Sequence, residues 1–398
     1  MVEIIGNSAS HTMHGRREVP FTRTYISQEA RSAVQDVLAS GWVTSGEQVV
    51  EFEREFARHV GARHALAVSS CTAAIELALR AMRLKPGAKV LMSADTFCVA
   101  AGAIMHAGLT VVVADVDPVT GMPSPTTVSE AVKDVDGVDA MVVVHLGGMP
   151  TPVAEIAAAA GLGLDRVVED AAHALGTFVD DAQVGSISRA TCFSFYATKN
   201  LAIGEGGMVT TDDDDLAQAV SRTRLHGMSK DAWRRYLPGG GWRYDVEVEG
   251  LKANMTDVQA AVGRAELRRF DSMQARRRQV AQRYDAQVVG LEGITLPPRP
   301  LRGVHAWHLY AIRVRAAYGT PRDAVVDALR ERGIGSSVHF IPLHRLTWYA
   351  AQCVIPARGL PGADEVFAET LSLPMDAVIS DEEVDAVCAA LAEIGGRQ

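Results

Sequence analysis

Five short apolar runs, separated by helix-length segments, constrain this chain more than any other feature. They are Ala65–Val68, Val90–Met92, Val111–Val113, Met141–Val144 and Val167–Val168, the last running directly into Glu169 and Asp170. None alternates apolar with polar residues, so each reads as a strand buried on both faces. The segments between them carry helical spacing, as in Ile75, Leu79 and Met82. Strands that alternate with helices pair in parallel, because a parallel connection needs a crossover long enough to hold a helix. The expected fold class is α/β, with a mostly parallel sheet covered on both faces. Ligands of such sheets lie beyond the carboxyl ends of the strands, which is where Asp170 falls.

Asp170 is followed by Ala171, Ala172 and His173. A strand with alternating aromatics, Phe193 and Phe195, then leads through Tyr196, Ala197 and Thr198 to Lys199 and Asn200, and a turn follows at Gly204-Glu205-Gly206-Gly207. Taken singly these are ordinary. An acid after an apolar run caps a loop or helix, a lysine sits on the surface, and glycines make tight turns. Together they match the needs of pyridoxal phosphate (PLP). Its pyridine nitrogen stays protonated beside a fixed carboxylate, the role open to Asp170. Its aldehyde needs an amine that forms an imine and later carries a proton, and a desolvated Lys199 suits both tasks. Upstream, Ser69-Ser70-Cys71-Thr72-Ala73-Ala74 turns a strand into a helix. Small residues and free N–H groups at a helix start can cradle a phosphate, although an ordinary cap would look the same.

The runs Glu169–Ala174, Phe193–Leu201 and Gly204–Val209 closely resemble the DegT/DnrJ/EryC1/StrS family, and the resemblance extends from about Val43 to about Tyr349. These are fold type I, PLP-dependent aminotransferases acting mostly on nucleotide-linked keto-sugars. The resemblance implies a large domain with a seven-stranded, mostly parallel sheet and a smaller C-terminal α+β domain. The expected divisions are a mobile tail at 1–20, the large domain at 21–270 and the small domain at 271–398. It assigns Lys199 to the cofactor aldehyde and to proton transfer, with pyridoxamine phosphate formed midway. Asp170 is assigned to the ring nitrogen, and His173 to the neighbourhood of the phenolic oxygen. Phe97 would stack on the ring, although a core phenylalanine is the simpler reading of the residue alone. Thr72 and Ser194 would hold the phosphate, together with Asn254 reaching across a homodimer interface from the other subunit. Asn254 alone reads equally as the N-cap of the following helix. Cys71 stands where the family usually has glycine, so which N–H at this turn meets the phosphate is left open. After His145-Leu146 the family's Tyr-Gly-Gln type sequence is replaced by Gly147-Gly148-Met149, a change with no function attached.

The segment Ser336–His344, leading to Trp348 and Tyr349, resembles the mouth of the family's substrate pocket and makes His339, Phe340, His344 and Tyr349 substrate candidates. Together with His226–Trp233 it looks most like members that aminate C4 of nucleotide-linked 4-keto-6-deoxyhexoses, with glutamate as donor. Products would feed antibiotic, glycan or lipopolysaccharide sugars. Amination at C3 or of a carbocyclic ketone is an alternative. A PLP-dependent sugar dehydratase carries histidine in place of the lysine, so Lys199 argues against it. A non-catalytic sensor on the same fold is opposed by intact Lys199, Asp170 and Ser194.

A net charge of −9 over 398 residues argues against a nucleic-acid binder. Arg276-Arg277-Arg278 reads as the solvated face of a helix. Five cysteines, an odd number without zinc spacing, suggest reduced thiols in the cytoplasm and no metal. No apolar run is long enough for a membrane span, and the first residues lack a signal-peptide core. Local signals predict a helix from Ser27 to Ser40 with Ser27 as N-cap, and a helix with Val49, Phe52, Phe56 and Val60 inward, stopped by Gly61. They also predict a functional loop over 228–251, one long amphipathic stretch from Val258 to Val289, and a helix from Arg322 to Arg332 stopped at Gly333.

Overall fold

The computed structural model describes residues 12–13, 16–229 and 243–396. Seven strands form the central sheet: β1 (His64–Val68), β2 (Lys89–Ser93), β3 (Thr110–Ala114), β4 (Ala140–Val144), β5 (Val167–Asp170), β6 (Ala190–Ser194) and β7 (Gly207–Thr211). Their spatial order is β1-β7-β6-β5-β4-β2-β3. Pairing is parallel from β6 through β3, and β7 runs antiparallel to both its neighbours.

Successive side chains of each strand enter opposite layers, so a strand buried on both faces must be apolar throughout. Val90 and Met92 pack with Ile75, Ala100 and Val220, which belong to α3 (Cys71–Ala81), α4 (Val99–His106) and α7 (Asp214–Thr223). Leu91, between them, packs with Val128 and Ile156 of α5 (Pro125–Asp134) and α6 (Val153–Ala159). At the other end of the sheet, Phe193 and Phe195 meet Phe52 and Phe56 of α2 (Glu47–Val60), beneath α1 (Gln28–Ser40) and α8 (Asp257–Leu267). Each such fully buried side chain contributes about 1.5–3 kcal/mol.

A second, antiparallel sheet joins β8 (Ile294–Thr295), β9 (Tyr310–Val314) and β10 (Thr370–Leu373). Its core includes Val325 and Leu329 of α10 (Arg322–Glu331) and Val384, Val387 and Leu391 of the C-terminal helix (Asp381–Gly395). Helix α9 (Phe270–Val288) runs between the two cores, with Phe270 in the first and Val280, Tyr284 and Val288 in the second. Among the described residues, no helix is long and apolar enough to cross a membrane.

Several local expectations hold in detail. The Ser27 hydroxyl accepts from the Ala30 N–H, and Gly61 closes α2 with φ +75°. Others change. The cap of α8 is Thr256, which exchanges bonds with Gln259 in a capping box, so Asn254 is not the N-cap. The single stretch from Val258 to Val289 is two helices, broken at Arg268 and Arg269. Arg277 is buried, not solvated; its guanidinium donates to the carbonyls of Trp307 (3.1 Å), His308 (3.5 Å) and Met375 (3.4 Å). Within the stretch expected to be a mobile tail, Val19 is buried and exchanges backbone bonds with Gly333 and Gly335. The earlier tail residues 1–11, 14 and 15 lie outside the described residues, as do 230–242 of the expected functional loop.

Candidate active site

The carboxyl ends of β5 and β6 are in register, with Asp170 opposite Cys192. The loop after β6 folds back on itself. Lys199 N–H bonds the Tyr196 carbonyl (2.9 Å), Ile203 N–H bonds Phe195 and Phe195 N–H bonds Gly206. Lys199 is thereby held above the strand ends. The next strand, β7, starts at Gly207, where a Cβ would lie 2.5 Å from the Ser70 carbonyl carbon. Glycine here lets the backbone pass against the first turn of α3, whose cap is Ser70.

These elements enclose a cavity of about 530 Å³ lined by Cys71, Thr72, Phe97, Asp170, His173, Ser194, Lys199, His339 and Phe340. Nine residues expected from the sequence therefore share one space. Phe97 is 53% exposed, unusual for a large apolar ring, and faces Phe340 with ring centroids 5.4 Å apart. Cys71 turns inward: its thiol lies 3.7 Å from Asp170 Oδ1 and 3.4 Å from the Cys192 carbonyl. Asp170 Oδ1 also accepts the Ala172 N–H at 3.0 Å. Its Oδ2 has no hydrogen-bond partner among the described residues and is not sealed from the cavity.

Burial raises the Asp170 carboxyl above its ordinary value, against the pull of Ala172 N–H and Lys199. Burial lowers the Lys199 ammonium, with Asp170 opposing the shift. Three imidazoles surround the pair. His173 and His308 are held well below the usual histidine range, and His339 is lowered to about 4, chiefly by burial and also by Lys199. They are neutral at pH 7 and act through their tautomers.

Three expected residues lie elsewhere. Asn254 borders a second cavity with Ser45 and Lys252, bonded to the Ser45 hydroxyl at 2.6 Å and to the Lys252 ammonium. His344 pairs with Asp364 at 2.8 Å. Tyr349 packs on α4, bonded to Cys98. Conversely, Phe21, Tyr196, His308 and Met375 line the first cavity without having been singled out. His308 sits in the run His305–Tyr310, where sequence spacing indicates a strand and nothing more. Its arrival depends on the turn at Gly147, whose N–H donates to His173 Nδ1 (3.1 Å) and whose carbonyl accepts from His308 N–H (3.0 Å).

Comparison with known proteins agrees with this geometry. The DegT/DnrJ/EryC1/StrS aminotransferase family matches residues 24–392. The chain is 45% identical over 379 residues to the spore coat polysaccharide biosynthesis protein SpsC of Bacillus subtilis, covering 94% of this chain and 97% of that one. It superposes on DesI, solved in the presence of its TDP-sugar product, with a TM-score of 0.83 at 32% identity, covering 96% of this chain and 93% of DesI. Spr1654 of Streptococcus pneumoniae, solved in a PLP form and a PMP form, superposes with TM-scores of 0.85 and 0.86 at 28% and 29% identity; 95% of this chain is covered in both, with 98% and 99% of Spr1654. The chain is therefore a PLP-dependent sugar aminotransferase of fold type I, belonging to the DegT/DnrJ/EryC1/StrS aminotransferase family.

Proposed function

We propose that this protein aminates the C4 ketone of a nucleotide-linked 4-keto-6-deoxyhexose, with glutamate as donor and a homodimer as the working unit. The observation that carries the reading is the shared cavity of Lys199 and Asp170, with one Asp170 oxygen free to meet a cationic N–H. That donor set fits PLP. Lys199 would hold the aldehyde carbon, Asp170 Oδ2 the pyridinium N–H, and Phe97 one face of the ring. His173 would lie near the phenolic oxygen, and Cys71 supports Asp170 from behind. The first turn of α3, with Thr72 and Ser194, would hold the phosphate, joined by Asn254 of the partner subunit. When bound, PLP supplies an electron sink beside the carbon that loses its proton.

The protein's own work is positional and protolytic. Asp170 keeps the ring nitrogen cationic. Lys199 would be the base that takes the proton from the donor α-carbon in the first half-reaction and the acid that delivers one to the sugar carbon in the second. Its lowered affinity for protons suits that role. The three neutral imidazoles add no positive charge to compete with the ring nitrogen for Asp170. His339 and Phe340 face the cavity as substrate contacts, whereas His344 and Tyr349 would support the pocket mouth from outside. The place of Asn254 beside a separate cavity fits a residue serving a second copy of the chain. The DesI likeness supports a nucleotide-linked sugar and the SpsC likeness a polysaccharide destination, and five free cysteines fit a reducing cytoplasm.

The test uses the purified PLP-loaded protein. Glutamate should abolish its visible absorption band, and TDP-4-keto-6-deoxyglucose should restore it. Lys199→Ala should fold and bind PLP without covalent attachment, with turnover reduced by several orders of magnitude. Near-normal turnover by that variant, without added amine, would refute the assignment.

A further inference from the structure

A buried amide chain fixes the proton on His308. The Asn200 Nδ2 donates to the Ala306 carbonyl at 2.9 Å and to Gln274 Oε1 at 3.2 Å. A carbonyl can only accept, so the amide nitrogen must face it, and Asn200 Oδ1 is left for the histidine. That oxygen lies 3.0 Å from His308 Nδ1. His308 therefore carries its hydrogen on Nδ1 and a lone pair on Nε2. The neighbouring ring is set the other way. His173 Nδ1 accepts the Gly147 N–H, so the neutral ring carries its hydrogen on Nε2. The ring centroids are 4.2 Å apart, both residues line the cavity, and neither Nε2 has a hydrogen-bond partner or is sealed off among the described residues.

The cavity wall thus offers one donor and one acceptor side by side. A carboxylate, phosphate, ketone or phenolate oxygen is acceptor-only and would meet the His308 lone pair unfavourably. A hydroxyl can donate to the His308 lone pair, and His173 Nε2–H is left for the cofactor's phenolic oxygen. Glutamate brings no hydroxyl, and its one donor, the α-amine, is committed to the cofactor aldehyde; a 4-keto-6-deoxyhexose keeps two hydroxyls, at C2 and C3. We infer that His308, oriented by Asn200 and Gln274, is the fixed acceptor for a hydroxyl of the sugar substrate and so distinguishes the sugar from the amino-acid donor in a shared site. The inference rests on the sugar-amination reading above.

The two half-reactions separate the possibilities. His308→Asn keeps a donor for Asn200 Oδ1 but has nothing at Nε2, whereas His308→Gln places an amide oxygen within reach of the Nε2 position. Each holoenzyme is mixed with glutamate in its PLP form and with TDP-4-keto-6-deoxyglucose in its pyridoxamine form, and absorption is followed through one turnover. Binding of the same sugar nucleotide to the pyridoxamine form is measured by calorimetry. His308→Asn should weaken sugar binding and slow the sugar half-reaction about tenfold or more, the loss expected for one buried polar group left unpaired. Its glutamate half-reaction should stay within about twofold, and His308→Gln should recover part of the loss. Removing the sugar's 2- or 3-hydroxyl should, for one of the two analogues, weaken binding to the wild type and not to His308→Asn.

Unchanged sugar binding by His308→Asn overturns the inference. So does equal slowing of both half-reactions, or a shift in the pH titration of the PLP absorption band, since His308 would then act on Lys199 or the cofactor. Inertness of the wild type towards this sugar overturns the functional reading and this inference with it. A wild type that reacts beside an unaffected variant overturns the inference alone.

Discussion

Glu169, next to Asp170 on β5, points away from the cavity into a closed polar knot. It is fully buried, as is His145. Glu169 Oε2 accepts His145 Nε2–H at 2.8 Å, and Oε1 accepts from Ser188 N–H (3.1 Å), the Ser188 hydroxyl (2.7 Å) and the Thr191 hydroxyl (3.1 Å). His145 cannot change tautomer freely, because its Nδ1 accepts the Thr151 N–H at 3.1 Å. Glu169→Gln retains shape but not pairing. The new amide oxygen can serve Ser188 and Thr191, which turns the amide hydrogens towards His145 Nε2–H. Donor then faces donor. If the ring switches tautomer, Thr151 N–H loses its acceptor instead. The variant exchanges a bond to a charged group, worth about 1.5–3 kcal/mol, for an unsatisfied buried donor costing about 1–3 kcal/mol. Allowing for local relaxation, a net loss of ~3 kcal/mol is expected. With ~2.1 cal/mol/K of unfolding entropy per residue, 398 residues give ~0.8 kcal/mol/K. The melting temperature should therefore fall by ~4 °C, measured by calorimetry at equal PLP saturation so that cofactor linkage cancels. A melting point within about 1 °C of wild type would refute the donor–donor argument.

Further predictions concern two buried carboxylates and the completion of the cavity by a partner. Asp95, whose Oδ1 accepts the Phe340 N–H at 3.2 Å and whose Oδ2 is sealed without a partner, is raised to about 7 by burial. Its stabilising proton is fully present below the ordinary carboxyl value and lost as pH rises towards 7. Asp95→Asn should therefore gain on wild type between about pH 4 and 7, by up to ~4 kcal/mol, in melts across that range; a pH-independent difference would refute the shift. Asp170→Asn should loosen PLP modestly and slow proton transfer far more, as read by deuterium exchange at the glutamate α-carbon; a change in affinity alone would remove Asp170 from the ring nitrogen. Asn254→Asp should weaken cofactor binding by about 1–3 kcal/mol. Mixed with Lys199→Ala under subunit exchange, it should regain activity, because one site of each mixed dimer has an intact Lys199 and an intact partner Asn254. No recovery with exchange demonstrated and an impaired Asn254→Asp parent would exclude the shared site.

Local sequence determined the layers and the chemistry at the strand ends. Unbroken apolar runs such as Val111–Val113 can be satisfied only between two helical layers, so a covered parallel sheet follows from composition along short segments. Ser27 and Gly61 act within one turn of their own helices, and their effects are visible without the rest of the protein. Asp170 and Lys199 were recognisable because each lies on or just after a strand whose direction places it at the ligand-binding edge. Tertiary packing decided what depends on distant partners. Arg277 looks solvated among its arginine neighbours, yet it is buried against the carbonyls of Trp307, His308 and Met375, contacts that cross from α9 to the segments flanking β9 and β10. Asn254 gave way to Thr256 as the helix cap because Gln259 completes the reciprocal box. His308 enters the site through a fold-back onto Gly147 and receives its tautomer from Asn200 and Gln274, which lie 108 residues before it and on α9. Histidine chemistry is set by which nitrogen finds a partner, and such partners exist only once the chain has closed on itself.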